Sequence, residues 1–319
     1  MPIGVFLDKA SLDRGELNFA SLQSSLDKWQ IHEVSSSDQV AERTRYAEVV
    51  VSNKVVLTAG HIAQAKNLKL ICVAATGTNN VDLDAAQAHG VAVCNVRSYA
   101  TPSVVQHVFA LILNLSRHIP DYQQAIQKGR WQQSDQFCLL DFPIAELQEK
   151  VLGIVGYGEL GQAVAKTAEC FGMQVLIAQR PGSDSASADR IPLYNLLSRV
   201  DILSLHCPLS NNTRNLIGKQ ELQLMKPDAL LINTARGGIV NEEALAEALR
   251  DGKIGGAGID VLSEEPPVEN PLFAADLPNL ILTPHIAWAS RAARQRLLDQ
   301  VADNITAFYA GTGQNLVTA

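Results

Sequence analysis

Two doubly wound α/β domains with parallel sheets are predicted for this chain by three observations. Short apolar runs alternate with helical patterns along all 319 residues, as parallel strands with crossover helices require. One run ends in a glycine-spaced turn, Gly156-Tyr157-Gly158-Glu159-Leu160-Gly161, and a helical pattern begins at once. The length and the 47% apolar content suit two cores of ordinary size rather than a disordered chain.

In chain order, the expected strands of the first part are 3–7, 47–51, 68–74 and 91–96. Those of the second part are 151–155, 174–178, 201–205, 229–232, 256–259 and 280–282. Between the two sets, residues 103–118 read as one long helix stopped by Pro120. Val104, Val105, Val108, Phe109, Leu111, Ile112, Leu113 and Leu115 make it apolar nearly all round, so burial between domains or against another subunit is expected. The stretch 121–147, with Trp131 and Phe137, has no strong period and reads as an arm around a partner chain, which makes a homodimer the expected assembly. A last helix, 290–310, follows the final strand and is expected to return to the first part. The chain would then cross between domains near 95–101 and 285–290, leaving a cleft with two hinges.

Chemistry explains the glycines of the turn. The first permits the tight bend, the second admits a pyrophosphate to the backbone, and the third brings helix and strand together. The pyrophosphate then meets unpaired N–H groups at the positive end of the helix dipole. A dinucleotide is therefore expected on Gly156, Gly158, Glu159, Leu160 and Gly161. The turn defines a Rossmann cofactor domain, residues 100–286 with the long helix and arm, inserted in a flavodoxin-like substrate domain made of 1–99 and 287–319.

Ligands of open α/β sheets bind beyond the carboxyl ends of the strands, and polar or glycine-rich residues collect there. His206-Cys207-Pro208 follows one strand, Asn233-Thr234-Ala235-Arg236-Gly237-Gly238 another, Asp260 a third and Thr283-Pro284-His285 a fourth. Cys207, Pro208, Thr234, Ala235, Arg236, Asp260, His285 and Ala287 join the cofactor set on this ground. Arg236 precedes a helix capped by Asn241, and its permanently charged planar guanidinium suits bidentate recognition of a carboxylate. His285 can deliver a proton near neutral pH. A carboxylate beside an imidazole orients the ring and favours its charged form, and Glu264 and Glu265 are rival candidates for that place. Asp260 either binds a nicotinamide amide or caps its own loop. His32, His61, His89, His107 and His118 read as structural. In the first part, Ala75, Thr76 and Gly77 open a polar turn whose N–H groups form an anion nest suited to a substrate carboxylate, with Asn79 or Asn80 as plain turn formers the competing reading.

Bulk properties remove several function classes. A net charge of −7 offers no basic footprint for nucleic acid or anionic membrane. Cys72, Cys94, Cys138, Cys170 and Cys207 are scattered, with neither CxxC nor zinc-ligand spacing, so no metal is expected and reduced thiols of a cytoplasmic protein are. No apolar stretch reaches membrane-spanning length, and the N-terminus lacks a basic flank and signal-type apolar region.

With these residues placed, the chain resembles the D-isomer-specific 2-hydroxyacid dehydrogenases over essentially its whole length. The matching stretches are Ala75-Thr-Gly-Thr-Asn-Asn-Val-Asp82, Gly153-Ile-Val-Gly-Tyr-Gly-Glu-Leu-Gly161, His206-Cys-Pro-Leu209, Ile232-Asn-Thr-Ala-Arg-Gly-Gly238, Asp260-Val-Leu-Ser-Glu-Glu-Pro-Pro267 and Pro284-His-Ile-Ala-Trp-Ala-Ser290. The resemblance implies that Arg236 binds substrate and polarises its carbonyl, that Glu265 is the partner of the histidine, and that His285 is the acid/base. It also implies a homodimer built on the cofactor domains. Trp288 after His-Ile-Ala, with the Ala-Thr-Gly-Thr-Asn-Asn loop, resembles the glycerate dehydrogenases (hydroxypyruvate reductases), and Trp288 joins the substrate set on that basis.

The implied reaction is NAD(P)H-dependent reduction of hydroxypyruvate, the favoured substrate, to D-glycerate, and also of glyoxylate to glycolate, and the reverse. A D-lactate-type dehydrogenase is the enzymatic rival, and a nucleotide-sensing corepressor the non-catalytic one. One departure concerns the cofactor. NAD-preferring relatives end the second strand of the cofactor domain in an acid, about 20 residues past the glycine turn. Here Gln179-Arg180 stands in its place, which removes repulsion against a 2′-phosphate and adds a cation, so NADP(H) is expected to be accepted and preferred over NAD(H). Gln106, where relatives often carry Glu, carries no inference.

Overall fold

The computed structural model describes residues 2–182, 189–273 and 276–317. The chain forms two compact units, Met1–Ala100 with Ala289–Ala319, and Thr101–Trp288. At the end of the second unit the Trp288 indole donates to the His285 carbonyl at 2.9 Å.

The first unit runs β1 (Ile3–Phe6), α1 (Ala20–Ser24), β2 (Lys28–Ile31), α2 (Ser37–Thr44), β3 (Val49–Ser52), α3 (Ala59–Gln64), β4 (Leu70–Val73), α4 (Leu83–Ala88) and β5 (Ala92–Cys94). The strands pair in parallel in the order β2-β1-β3-β4-β5, with Val50 between Val5 and Ile71 at the centre. β3 and β4 are buried along their whole length, as expected where helices cover both faces of a sheet. β2 was not among the sequence-expected strands. Its Lys-Trp-Gln-Ile alternates exposed and half-buried positions at the sheet edge, so it shows no apolar run.

The second unit begins with α5 (Thr101–Ser116) and α6 (Ile119–Gln127). It continues with β6 (Val151–Val155), α7 (Glu159–Cys170), β7 (Gln174–Ile177), α8 (Leu193–Leu197), β8 (Ile202–Leu205), α9 (Lys219–Leu224), β9 (Leu230–Asn233), α10 (Glu242–Arg250), β10 (Gly256–Ile259) and β11 (Leu280–Leu282). Its parallel order is β11-β10-β9-β8-β6-β7, so the chain reverses direction between β6 and β8. That reversal is the switch point at which such sheets hold their ligands. Each unit has its own apolar core. The last helix, α11 (Arg291–Tyr309), starts on Ser290, whose hydroxyl accepts from the Ala293 amide at 3.2 Å, and packs on β4 and α1 of the first unit.

Two helix expectations need correction. α5 begins at Thr101 and ends at Ser116 rather than spanning 103–118; within the single chain Gln106 and Ala110 are exposed, and Val105, Leu113 and Leu115 are half-buried. Its buried stripe, Val104, Val108, Phe109, Leu111 and Ile112, packs on α7, β9 and β10. Pro120 does not stop α5. His118 adopts a left-handed conformation (φ 49°), and Pro120 sits in the first turn of α6, where its missing N–H costs nothing. The first quarter of the expected arm, 121–127, is therefore helical.

Candidate active site

At the switch point, Gly156 follows β6 with φ 95°, and a Cβ there would lie 2.6 Å from the Cys207 amide nitrogen after β8. Gly161, buried in the first turn of α7, has no room for one either, because the Gly156 carbonyl oxygen occupies that place. These two glycines are explained by the protein's own packing. Gly158 is not. Its φ of −82° suits any residue, it precedes the first residue of α7 without a side-chain cap, and among the described residues no atom beyond the adjoining backbone lies within 4 Å of where its Cβ would be. Open space at a helix start is what a pyrophosphate requires. Glu159 is exposed and accepts a hydrogen bond from the Thr101 hydroxyl, and Leu160 is half-buried.

The crevice wall opposite this turn is uncharged. Burial pushes the Cys207 thiol up to about 11 and the His206 imidazole down to about 4. His206 Nε2 lies 2.8 Å from the Ser204 hydroxyl, and its buried Nδ1 has no partner. Pro208 is exposed, and its carbonyl accepts from Thr213 Oγ1 at 2.7 Å. On the next strand end the Thr234 hydroxyl is buried and unpartnered, beside buried Ala235. Buried hydroxyls are rarely left unsatisfied, and among the described residues nothing pairs with the Thr234 hydroxyl. The open space at Gly158, the neutral wall and this hydroxyl fit a dinucleotide. At the end of β7, the half-buried Gln179 donates its amide to Ile191 at 2.8 Å and Arg180 is exposed.

Arg236 stands exposed on a turn built by Asn233. The Asn233 side chain accepts from the Ala235 amide at 3.1 Å and donates to the Arg236 carbonyl at 3.0 Å. Arg236 Nη1 donates to the Ala235 carbonyl at 2.7 Å. At Gly237 a side chain would collide with the Leu262 carbonyl, so the turn and the loop after β10 lie backbone against backbone. That loop carries Glu265, whose Oε2 is 2.6 Å from His285 Nδ1 while its Oε1 accepts from the Leu262 amide at 2.9 Å. Glu265, rather than Glu264, is therefore the partner of the imidazole.

His285 has φ 54°, a left-handed conformation that is uncommon outside glycine. Asp260 over-determines it. The Asp260 carbonyl accepts from the His285 amide at 2.8 Å, Oδ1 from the Ile286 amide at 2.9 Å, and Oδ2 from the Ala287 amide at 2.9 Å. Asp260 Oδ1 also accepts from the Thr283 hydroxyl at 2.6 Å, and that hydroxyl meets His107 Nε2 at 2.9 Å. Of the two roles weighed for Asp260, capping the loop is the one whose bonds the structure displays. The Trp288 indole closes the same loop through the His285 carbonyl.

Ala75, Thr76 and Gly77 belong to the first unit, in the loop after β4. Thr76 Oγ1 donates to Val96, Asn95 Nδ2 donates to the Thr76 carbonyl at 2.7 Å, and the Val96 amide donates to Ala75. Asn80 acts as a turn former, its amide shared among Ser52, Asn53 and Val55. Sequence reasoning missed Asn233 as the keystone of the arginine turn, although a polar residue closing an apolar strand was its signal.

Residues 109–287 match the model of the D-isomer specific 2-hydroxyacid dehydrogenase NAD binding domain. The chain is 46% identical to a glycerate dehydrogenase of Methylorubrum extorquens, covering 99% of this chain and 98% of the relative. It is 35% identical to a hydroxypyruvate reductase of Blautia hydrogenotrophica, covering 98% of each. Among solved structures, it superposes on an NADPH-dependent glyoxylate/hydroxypyruvate reductase from Sinorhizobium meliloti, in complex with NADP and malonate, with a TM-score of 0.80, 27% identity and coverage of 99% and 96%.

Proposed function

The chain belongs to the D-isomer specific 2-hydroxyacid dehydrogenase family, and from that premise we propose that it reduces hydroxypyruvate to D-glycerate. Glyoxylate is the second proposed substrate, and the reverse oxidation uses the same groups. The observation that carries this reading is the His285–Glu265 pair, whose carboxylate comes from a loop that packs against the Arg236 turn. The nicotinamide cofactor, when bound, supplies the hydride to C2 of the 2-oxo acid. Arg236 binds the carboxylate and aligns the carbonyl, and the Thr76–Gly77 backbone is a second proposed carboxylate ligand. Because Nδ1 of His285 is engaged by Glu265, Nε2 is the atom that gives its proton to the developing alkoxide and takes it back in oxidation.

His285→Ala is expected to lower kcat by at least ~10² while the cofactor dissociation constant stays nearly unchanged, the usual size of general acid catalysis. Near-normal turnover would remove His285 from the mechanism. Arg236→Ala is expected to raise KM for the 2-oxo acid as well as to slow turnover. A panel of hydroxypyruvate, glyoxylate, pyruvate and longer 2-oxo acids separates this reading from a D-lactate-type preference.

NADP(H) is proposed as the preferred cofactor. Gln179 and Arg180 in place of an acid support it, as does the likeness to an NADPH-dependent reductase. At least tenfold selectivity for NADH in kcat/KM would reject the preference. A homodimer is proposed as well. Phe137 is 90% and Leu140 80% exposed, with Trp131 half-exposed nearby, and soluble monomers rarely leave such apolar groups clustered in water. A monomer mass in sedimentation would reject it. The proposed location is the cytoplasm, in keeping with five unbridged thiols.

A further inference from the structure

We propose that Glu242 is the positioning residue of the acid–base pair, the group that holds the Glu265 loop at the distance His285 requires. Glu242 opens α10, six residues after Arg236. Its carboxylate gathers both ends of the segment that carries Glu265. Oε1 accepts from the Ser263 amide at 2.6 Å, and Oε2 accepts from the Ser263 hydroxyl at 2.9 Å and from Asn270 Nδ2 at 2.6 Å. Asn270 is itself fixed, since its Oδ1 accepts from the Leu272 amide at 2.9 Å. Glu265 lies between these two anchors, with solvent on its outer side.

The anchor is rigid for local reasons. α10 is capped by Asn241, whose Oδ1 accepts from the Ala244 amide at 2.9 Å, and Leu245, Ala246, Ala248 and Leu249 bury its inner face. A carboxylate in the first helical turn also sits favourably in the helix dipole. Glu242 is therefore a fixed point, and hydrogen bonds to an ionised acceptor are the stronger kind. One edge of the 262–270 loop is set by the backbone contact at Gly237, and the other by Glu242. With the second support removed, the loop keeps its place at Leu262 but swings at Glu265. The 2.6 Å contact to His285 is the first thing to loosen.

The inference rests on the acid–base reading of His285, and its test separates the two. Glu242→Ala, Glu265→Gln and the double variant are compared in the full chain with hydroxypyruvate. Glu242→Ala is expected to lower kcat about tenfold, with KM and the reduced-cofactor dissociation constant within about twofold, the pattern of a lost orienting group. In the Glu265→Gln background the same substitution should cost less than about twofold, since no carboxylate remains to be placed. Glu242→Gln keeps the volume and one acceptor oxygen, and is expected to recover part of the rate even if the alanine variant melts early. Equal losses in both backgrounds, or an unchanged kcat in Glu242→Ala, overturn the inference. A Glu265→Gln enzyme with normal kcat removes the acid–base reading and this inference with it.

Discussion

The two sheets share a winding order but end differently at their switch points. In the first, β1 is followed by Asp8, whose buried carboxylate spans to the chain after β3. Oδ1 accepts from the Asn53 amide at 2.9 Å, and Oδ2 accepts from the Lys54 amide at 2.7 Å and the Val55 amide at 3.2 Å. In the second, β6 is followed by Gly156, and the chain after β8 closes on a bare backbone, with the open space at Gly158 beyond. Both crevices present amides to an anion. The first fills them with its own side chain, and the second leaves them for a ligand. The residue that leaves the first strand thus decides whether the switch-point crevice is plugged from within or stays open.

That contrast can be broken from either side. The largest effect is expected from Asp8→Ala, which strands three amides and costs about 4 kcal/mol of stability in the first unit. Hydrogen exchange at Asn53, Lys54 and Val55 would report it, and slow exchange in the variant would mean that the carboxylate is not the plug. His206 comes next. Its pKa falls from 6.5 to about 4 on burial, so the unfolded chain takes up a proton that the folded chain refuses. The stabilising effect is complete above the unfolded value and is lost as pH falls toward the folded one, up to about 3 kcal/mol. His206→Gln should flatten stability against pH between 6.5 and about 4 in chemical denaturation, and an unchanged slope would refute the buried neutral ring. The smallest and sharpest change is Gly158→Ala. The added methyl meets no atom of the described residues, so Tm should shift by no more than about 2 °C, while NAD(P)H binding weakens at least about tenfold. Intact affinity by fluorescence titration would show that the space over Gly158 is not where the pyrophosphate lies.

The second unit was far more legible in the sequence than the first. Its strands are short apolar runs, and the residues that end them are polar or glycine, so β6 to β11 and the Gly156, Arg236, Asp260 and His285 positions could all be placed. The first unit hid β2, because an edge strand with one wet face has no run to find. The Asp8 plug was equally hidden, since Asp8 and Asn53 are 45 residues apart. Helix ends moved where backbone conformation decides, as at His118, where a left-handed residue sets up the proline-led start of α6. Glu265 could not be told from Glu264 by pattern, for neighbouring loop acids differ only in where the backbone aims them. Glu242 was invisible for a related reason: its partners Ser263 and Asn270 come to it only once β10 has been laid beside β9.

The contact at Gly237 carries a consequence for transplantation. Because no side chain separates that turn from the Leu262 carbonyl, the two peptides behave as one inseparable module. A segment 260–270 borrowed from a cousin with bulkier chemistry at position 237 would arrive without its seat. Grafts intended to retune this enzyme therefore have to exchange 233–242 and 260–270 together.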